Sequence, residues 1–348
     1  MIGGPAGRTP TLEMVAAAAG VSRATVSRVV NGSTSVTPEI VEAVNAAIAD
    51  LDYVPNRMAR SLASRRTDVI ALIVPESTST VFADPFFAPV VRGVARTLAD
   101  TDYTLNLLIA SESRPDKTRR YLLGGNVDGA LVVSHHVDDH SYVGLGDQLP
   151  IVYGGRPLNP ELAASYHVDV DNVASARTAT EHLVGLGRRR IAMIAGRQDM
   201  PAGVDRLDGW RQALEAAGLD ADQAPVEFGD FSQLSGSQAM ERLLGRASGG
   251  PSSDGVPIDA VFVANDQMAA GAIQVLQSRG IAVPDEVAVV GFDDDSFAAS
   301  FTPALTTIHQ PAAELGAAMA DVLVRRIAGE DPPRRTLIPT RLIRRASA

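Results

Sequence analysis

Five short apolar runs, separated by stretches with helical periodicity, constrain the fold of this chain more than any other feature. They are VIALIV, GALVV, IAMIA, AVFVA and VAVVG, which begin at residues 69, 129, 191, 260 and 287. Continuous apolar runs of this length are typical of strands buried on both faces of a parallel sheet. The alternation of such strands with helices predicts an α/β core, and its length favours two doubly wound lobes.

The chain is long enough for more than one domain, because single hydrophobic cores divide beyond roughly 250 to 300 residues, and this chain has 348. We expect a disordered tail at 1–10, a small helical domain at 11–55, a hinge helix or linker at 56–66 and a large core at 67–348. Within the core we expect an N-lobe of about 67–168 plus 311–338 and a C-lobe of about 169–309 plus 340–348. The glycine- and serine-rich stretch 245–255 predicts a surface loop.

Composition excludes several classes of protein. There is no cysteine, so disulfides and thiolate metal sites are excluded. No apolar segment approaches the roughly 20 residues of a membrane span, and the start does not look like an export signal. We therefore expect a cytoplasmic protein without a membrane partner. A net charge of −10 argues against indiscriminate nucleic-acid binding, although residues 1–66 hold seven arginines against five acids.

Three short helices with tight turns are predicted for the small domain. Thr11 can cap a helix that Gly20 ends, Ser22 can cap a second helix running to Val30, and Pro38 suits the first turn of a third. The first two helices have the spacing of a helix–turn–helix, in which the second helix enters the major groove of DNA.

The second helix has one polar and one apolar face. Arg23, Ala24, Ser27 and Arg28 point outward, while valines hold the helix to the domain. An arginine there can pair with guanine, and hydroxyls such as those of Ser22, Thr25 and Thr37 can position phosphates. The alternative interpretation is a structural helical hairpin with a solvated arginine face.

Four segments occur in one order: VSRATVSRVVNG, YVPNRMARSLAS, ANDQMAAGA and VGFDDD. In these segments the chain resembles the lactose and galactose repressor (LacI/GalR) family of bacterial transcription regulators. The resemblance implies an all-α helix–turn–helix head with a hinge helix, followed by a bilobal periplasmic-binding-protein-like core of two doubly wound parallel sheets. It also implies a homodimer on a palindromic operator in double-stranded DNA, a sugar effector, and no catalytic residue, cofactor or metal.

The resemblance assigns DNA contacts residue by residue. Arg23 and Ala24 match variable base-reading positions, and Arg28 matches a more constant groove contact. Leu62 matches a hinge leucine that wedges into the minor groove beside Ala59. Backbone, cap or hinge contacts are implied for Ser22, Thr25, Ser27, Asn31, Thr37, Tyr53, Asn56 and Arg57.

Polar residues that end strands of the core predict a ligand site. Asparagine, aspartate and glutamine can bond several sugar hydroxyls at once. Phe82, Tyr153 and Phe231 could supply stacking faces, although core packing is equally consistent with each of them. Asn265 and Asp293 match family positions that hold the sugar, and Phe231 matches an aromatic wall. The full candidate set is Phe82, Asp84, Ser134, Tyr153, Arg156, Phe231, Asn265, Gln267, Asp293 and Gln310.

The sequence departs from the family pattern at two positions. Val204 stands where many members carry an arginine, and Gly155 stands where many carry an aspartate. Losing a buried arginine and a side chain enlarges the site and removes a charge, which favours a larger neutral ligand, such as a disaccharide, over a phosphorylated sugar or a purine. The segments VYGGRP and QDMPAGVDRL resemble the actinobacterial members that respond to cellobiose and related β-glucosides.

Three other functions are compared with the features of the sequence. A sugar-binding transport protein would share the bilobal core but needs an export signal and lacks the head. A co-repressor-dependent regulator of another pathway would share both parts. An enzyme is disfavoured, because SHHVDDH at 134–140 lacks the HExxH spacing of a metal site and predicts a solvated loop at the cleft mouth. DDD at 293–295 predicts hydroxyl binding and helix capping.

Overall fold

The five apolar runs all form strands in the computed structural model, which describes residues 10–30, 35–54, 66–109, 115–138, 140–245 and 258–348. The strands are β1 Val69–Val74, β2 Thr104–Ile109, β3 Gly129–Val133, β4 Ile151–Gly154, β5 Tyr166–Val170, β6 Ile191–Ala195, β7 Val226–Phe228, β8 Ala260–Val263, β9 Ala288–Asp293, β10 Thr306–His309, β11 Arg335–Ile338 and β12 Arg341–Ile343. The helices are α1 Leu12–Ala19, α2 Arg23–Val30, α3 Pro38–Asp50, α4 Thr78–Ala83, α5 Phe87–Leu98, α6 Pro115–Leu123, α7 Asn172–Gly185, α8 Pro201–Ala216, α9 Gln233–Gly245, α10 Asp266–Ser278 and α11 Ala312–Ile327.

Contacts divide the chain into two units, Met1–Asp68 and Val69–Ala348. The regions predicted as a tail, a hinge and a surface loop, at 1–10, 56–66 and 245–255, fall almost entirely outside the described residues. In the part of the chain that is described, no helix has the length and apolar character needed to cross a membrane.

The small unit contains the predicted three helices and their caps. The hydroxyl of Thr11 accepts the amide of Met14 at 3.4 Å, and Gly20 ends α1 with a φ of 65°. Ser22 caps α2 by accepting the amide of Thr25 at 3.1 Å. The apolar core consists of Val15, Ala16, Val26, Val44, Ala47 and Tyr53. Because Val26 is fully buried there, the opposite face of α2 is left to solvent.

The large unit contains two six-stranded sheets, which confirms the predicted fold class. Their strand orders are β11-β5-β4-β3-β1-β2 and β12-β10-β9-β8-β6-β7. Every described pair of neighbouring strands is parallel except β10 and β12. We call the first sheet with α4, α5, α6 and α11 the N-lobe, and the second with α7 to α10 the C-lobe. The chain passes between the lobes after β5, after β10 and after β11.

Two glycines let α5 and α11 of the N-lobe pack with their backbones in contact. A Cβ atom at Gly93 would lie 1.9 Å from the carbonyl oxygen of Ala313, and one at Gly316 would lie 2.2 Å from that of Val90. Side chains at these positions are therefore excluded by backbone atoms that cannot rotate away. This contact fixes the start of α11, which follows the second passage between the lobes.

We expect Gly93→Ala to lower the free energy of unfolding by about 1–3 kcal/mol, because the two helices must separate to admit the methyl group. The loss would outweigh the gain in helix propensity of about 1 kcal/mol. Gly146→Ala is the matched control, since Gly146 has no atom within 4 Å of its Cβ position. Urea unfolding followed by circular dichroism compares the two, and equal stabilities would contradict the proposed backbone contact.

Candidate functional site

A cavity of about 500 Å³ lies between the two lobes of the large unit. It is lined by segments that follow the carboxyl ends of the strands, where α/β folds bind ligands. The structure brings seven of the ten candidate ligand residues to its wall: Asp84, Ser134, Phe231, Asn265, Gln267, Asp293 and Gln310.

Three of the candidate ligand residues do not reach the cavity. Phe82 is 75% exposed, because Val81 takes the buried face of the short helix α4 and the next residue points about 100° away from it. Phe86 and Phe87, just beyond this helix, line the cavity instead. The turn that presents them is closed by Asp84, whose carboxylate accepts the amide of Phe86 at 2.9 Å.

Tyr153 and Arg156 make their contacts outside the cavity. Tyr153 is 1% exposed within the N-lobe core, and its ring meets that of His135 edge to face, with 5.4 Å between the centroids. Alternation along β4 turns the neighbouring Gly154, and not Tyr153, to the cavity. Arg156 makes an ion pair with Asp205 of α8 at 2.5 Å, which draws its side chain away from the wall.

Arg206 lies in the cavity wall, and sequence reasoning missed it. Its Nε donates to Asn172 at 2.9 Å, Nη1 to the carbonyl of Ala264 at 2.5 Å and Nη2 to Gln310 at 2.7 Å. The guanidinium also lies 3.5 Å from the ring centroid of Phe292. Val204 removes one charge relative to the family pattern, but Arg206, half a helical turn further on, still places a buried positive charge in the cavity wall.

The sequence feature that could have identified Arg206 as a buried residue is its position on α8. Gly203, Leu207, Trp210 and Leu214 are buried along one face of this helix, and Arg206 falls on the same face at helical spacing. An arginine on an otherwise apolar face is almost never buried without partners. It therefore predicts a polar network beneath the helix.

Asp293 faces Arg206 across the cavity wall. The strand β9 ends at Asp293 with a φ of 104°, and its Oδ1 lies 3.5 Å from Nη2 of Arg206. Burial raises the pKa of Asp293, while the guanidinium opposes that rise. The carboxylate is thus held at the wall with an unusual backbone conformation, of the kind that concentrates at functional sites.

The next two aspartates do not cap a helix, so that expectation for 293–295 is wrong. Asp294 pairs with Arg345 at 2.6 Å and with His309 at 2.9 Å. The amide of Asp295 donates to the buried carboxylate of Asp266 at 2.8 Å. Burial, together with the charges of Asp293 and Asp266, raises the pKa of Asp295 to about 9, so its carboxyl is neutral at pH 7.

Asn265 and Phe231 are linked at the C-lobe side of the cavity. The side chain of Asn265 caps α10 by accepting the amide of Met268 at 3.0 Å and donates to the carbonyl of Phe231 at 2.9 Å. Gly196 leaves room for the aromatic ring, since a Cβ atom there would lie 2.1 Å from it. The ring of Phe231 is therefore held in a fixed orientation on the cavity wall.

The histidines of SHHVDDH contradict the solvated loop expected from the sequence. His135 is 4% and His136 is 8% exposed. His135 bonds the carbonyl of Gly155 at 3.2 Å, and burial lowers its pKa to about 4, so it is neutral. His136 contacts carboxylates on both sides. Among the described residues, no group of three or more His, Cys, Asp or Glu could hold a metal ion.

Carboxylates outnumber cations on the cavity wall. Its acidic residues are Glu76, Asp84, Asp169, Asp230 and Asp293, against Arg197 and Arg206. Burial raises the pKa of Asp84 to about 6, and the nearby charges of Asp293 and Glu76 add to that rise. An anionic ligand would be repelled here, whereas hydroxyl groups can donate to several of these oxygens.

In the small unit, α2 presents a polar face. Arg23, Ala24 and Arg28 are exposed, and Ser27 is half-buried. Arg23 lies 3.2 Å from Glu13, and both side chains are largely exposed, so the pair is weak. Thr25 bonds Ser22 at 2.8 Å, and Thr37 precedes α3 without a side-chain cap.

Tyr53, another expected backbone contact, packs in the small core. Asn31, Asn56, Arg57, Ala59 and Leu62 lie outside the described residues.

A three-helix unit with a polar second helix, joined to a two-sheet unit with a cavity, defines a DNA-binding regulator that carries a ligand-sensing domain. Residues 11–56 match the model of the bacterial regulatory proteins of the lacI family, and residues 180–348 match that of the periplasmic binding protein-like domain.

Relatives match over almost the whole chain. The HTH-type transcriptional regulator CelR of Thermobifida fusca is 48% identical over 344 residues, which is 98% of each chain. The ribose operon repressor of Escherichia coli K12 is 35% identical over 322 residues, covering 91% of this chain and 93% of its own. The chain therefore belongs to the lacI family of bacterial regulatory proteins. It is a transcription regulator and not an enzyme.

Solved structures agree with this assignment. A transcriptional regulator CelR–cellobiose complex has a TM-score of 0.75 at 46% identity and covers 97% of this chain and 100% of its own. A lac repressor dimer bound to operator and the anti-inducer ONPF has a TM-score of 0.83 at 27% identity, covering 98% and 99%.

We expect Arg206→Lys to lower the free energy of unfolding of the large unit by about 3 kcal/mol, because lysine cannot bridge the three acceptors and leaves buried oxygens unpaired. Arg211→Lys, at an exposed position on the same helix, is the matched control and should change it by less than about 0.5 kcal/mol. Trp210, the single tryptophan, reports urea unfolding of this region by fluorescence. A loss no greater than that of the control would show that the network does not stabilise the lobe.

Proposed function

We propose that this protein is a cytoplasmic repressor of sugar-utilisation genes that binds a palindromic operator as a homodimer and is released from it by cellobiose. One observation carries the choice of ligand. The wall of the cavity combines aromatic faces with an excess of carboxylate and amide groups. Two similar proteins support the same ligand: the regulator CelR of Thermobifida fusca at 48% identity, and the protein of a solved CelR–cellobiose complex at 46% identity.

A neutral disaccharide fits the physical character of the cavity. Its volume of about 500 Å³ falls within the range of small-molecule sites. Phe86, Phe87 and Phe231 offer flat apolar faces against which a pyranose ring can pack. The acidic wall adds to the sequence-based preference for a neutral ligand, because it disfavours an anion.

Asp84, Asp293 and Gln310 are the groups we assign to the sugar hydroxyls, with Ser134, Asn265 and Gln267 beside them. Arg206 is a donor to the ligand as well as the group that holds Asp293 and Gln310 in place. Charge-assisted hydrogen bonds to ionised carboxylates are about twice as strong as neutral ones. Asp293 therefore contributes most of the polar selectivity in this proposal.

The DNA assignment rests on the exposed face of α2. We assign Arg23, Ala24 and Arg28 to base edges in the major groove, and the hydroxyls near them to phosphates. A single head buries too little surface for tight specific binding, so two heads on inverted half-sites are required.

Operator binding with and without cellobiose tests the proposed function. The operator is first selected from random duplexes with the full-length protein, and affinity is then measured by fluorescence anisotropy. We expect a palindromic sequence whose affinity falls when cellobiose is added. A rise in affinity would make cellobiose a co-repressor, and no operator at any sugar concentration would favour a transport protein.

Asp293→Asn should lower the affinity for cellobiose at least tenfold, because a hydrogen bond to a charged group contributes about 1.5–3 kcal/mol. Asparagine keeps an acceptor for Arg206, so the fold is spared. Asp295→Asn is the control, since it replaces a carboxyl that is already neutral at pH 7. Calorimetric titration of both variants decides the matter, and undiminished binding by Asp293→Asn would place the sugar elsewhere.

Arg28→Ala should weaken binding to the selected operator by about 1–3 kcal/mol and relax the preference at one base pair of each half-site. The control is Arg211→Ala, which removes one exposed positive charge from the large unit. Competition with single-base variants of the operator distinguishes a contact to a base from a contact to a phosphate. An equal loss on operator and random DNA would identify Arg28 as a phosphate contact.

A further inference from the structure

A buried histidine joins the two lobes beside the cavity. His136 follows β3 in the N-lobe, and its Nδ1 lies 3.1 Å from Oδ2 of Asp199, which follows β6 in the C-lobe. Its Nε2 lies 3.0 Å from Oε1 of Glu76, which follows β1 in its own lobe. We call His136, Glu76 and Asp199 the histidine bridge.

The geometry of the histidine bridge fixes the charge of its imidazole. Neutral imidazole has an N–H on one nitrogen only, whereas imidazolium has one on each. Both nitrogens of His136 face carboxylate oxygens, and the Glu76 oxygen already accepts the hydroxyl of Ser134 at 2.9 Å. Each bond to His136 therefore needs an N–H on the ring, so the closed bridge holds an imidazolium.

The surrounding charges support this protonation state. Arg197 donates to both oxygens of Asp199, at 3.0 and 2.6 Å, and holds the pKa of that carboxyl at about 2. The neighbouring His135 is neutral. Burial alone would lower the pKa of His136, but the hydrogen bond and charge of Glu76, with the charge of Asp199, raise it above its ordinary value.

The histidine bridge lies away from the segments that connect the lobes. In the N-lobe sheet β4 separates β3 from the crossing strand β5, and in the C-lobe sheet β8 and β9 separate β6 from β10. The amide of Val137 also donates to the carbonyl of Asp199 at 2.8 Å. The contact of His136 with Asp199 and the contact of Val137 with Asp199 both join the two lobes. Both are lost when the lobes rotate apart about their connections, so the histidine bridge exists only in the closed arrangement.

We propose that His136 is a positioning residue for effector binding, which holds the lobes closed over the cavity as an imidazolium and so makes closure over the ligand a proton-linked step. Glu76 and Ser134 line the cavity, so the bridge also orders part of its wall. The inference rests on the proposed function, because it takes a sugar as the ligand that the lobes enclose.

The direction in which pH changes ligand affinity follows from a comparison of the open and closed arrangements of the lobes. Opening removes Asp199 from the ring and lowers the proton affinity of His136, so closure takes up a proton from solvent above the pKa of the open state. The closed state is favoured at low pH and loses this stabilisation as the pH rises through the pKa of the bridged ring. Ligand affinity therefore falls as the pH rises above neutrality.

Asp84 acts in the opposite direction. It lines the cavity with a pKa of about 6, and its ionised form has more capacity to accept hydrogen bonds from sugar hydroxyls than its protonated form. Its ionisation favours sugar binding as the pH rises through that value. A decline in affinity above about pH 7 therefore belongs to the histidine bridge and not to Asp84.

Calorimetry with cellobiose as the probe tests the linkage in the full-length protein. Between about pH 6.5 and pH 8.5 we expect the affinity of the unaltered chain to fall by up to tenfold per pH unit, with proton uptake seen as a difference between phosphate and Tris buffers. His136→Gln and Asp199→Asn should bind more weakly at the lower pH and lose both the slope and the uptake. His167→Gln, whose ring bonds the carbonyl oxygen of Ser165 within its own lobe, is the matched control and should keep them. A flat profile for the unaltered chain, or an unchanged slope in His136→Gln, would overturn the proposal.

A second measurement observes the ring of His136 directly, first without sugar and then with saturating cellobiose. Carbon-13-labelled histidine allows each ring to be titrated by nuclear magnetic resonance, and the signal of His136 is the one missing from His136→Gln. We expect its midpoint to lie above that of an unperturbed histidine and to fall in Asp199→Asn. A midpoint at or below the ordinary value, both in the free protein and with saturating cellobiose, would overturn the histidine bridge. Absence of any heat with cellobiose, by contrast, would refute only the choice of ligand.

Discussion

The buried guanidinium of Arg206 is the interaction on which the cavity depends. It bonds Asn172, which follows the passage out of β5, and Gln310, which lies in the passage between β10 and α11. It also bonds the end of β8 at Ala264 and faces Asp293. A planar group with five fixed donors can satisfy such a set, whereas a flexible ammonium cannot. The part of the wall formed by Asn172, Asp293 and Gln310 is therefore held in place by contacts within the protein itself.

The same arginine explains how an acidic site remains compatible with a stable fold. Like charges at close range raise one another's pKa, so several buried carboxylates cannot all be ionised. Arg206 and Arg197 stabilise the ionised forms of Asp293 and Asp199, while Asp295 stays neutral. Asp293 therefore faces the cavity beside a cation, whereas the neighbouring Asp295 carries a neutral carboxyl.

Sequence patterns predicted the architecture well because burial on both faces leaves a simple signature. All five apolar runs became strands, and the caps at Thr11 and Ser22 formed. Which side of an element faces the cavity was harder to predict. Tyr153 and Gly154 are adjacent on β4, and only the register of the sheet decides which one lines the wall. Arg206, His135 and His136 were misjudged for a related reason, since their burial depends on partners 20 or more residues away in the chain, namely Asn172, Gly155 and Glu76.

The three passages between the lobes have a mechanical consequence. Three chain segments that connect the lobes side by side permit rotation about a single axis, but they resist sliding and twisting of one sheet over the other. Each closing motion then returns the two walls to the same alignment. Donors and acceptors on opposite lobes, such as Arg156 and Asp205 at 2.5 Å, then return to the same partner each time the lobes close. Precision across the cleft is thus a property of the chain's connectivity as much as of the side chains that meet there.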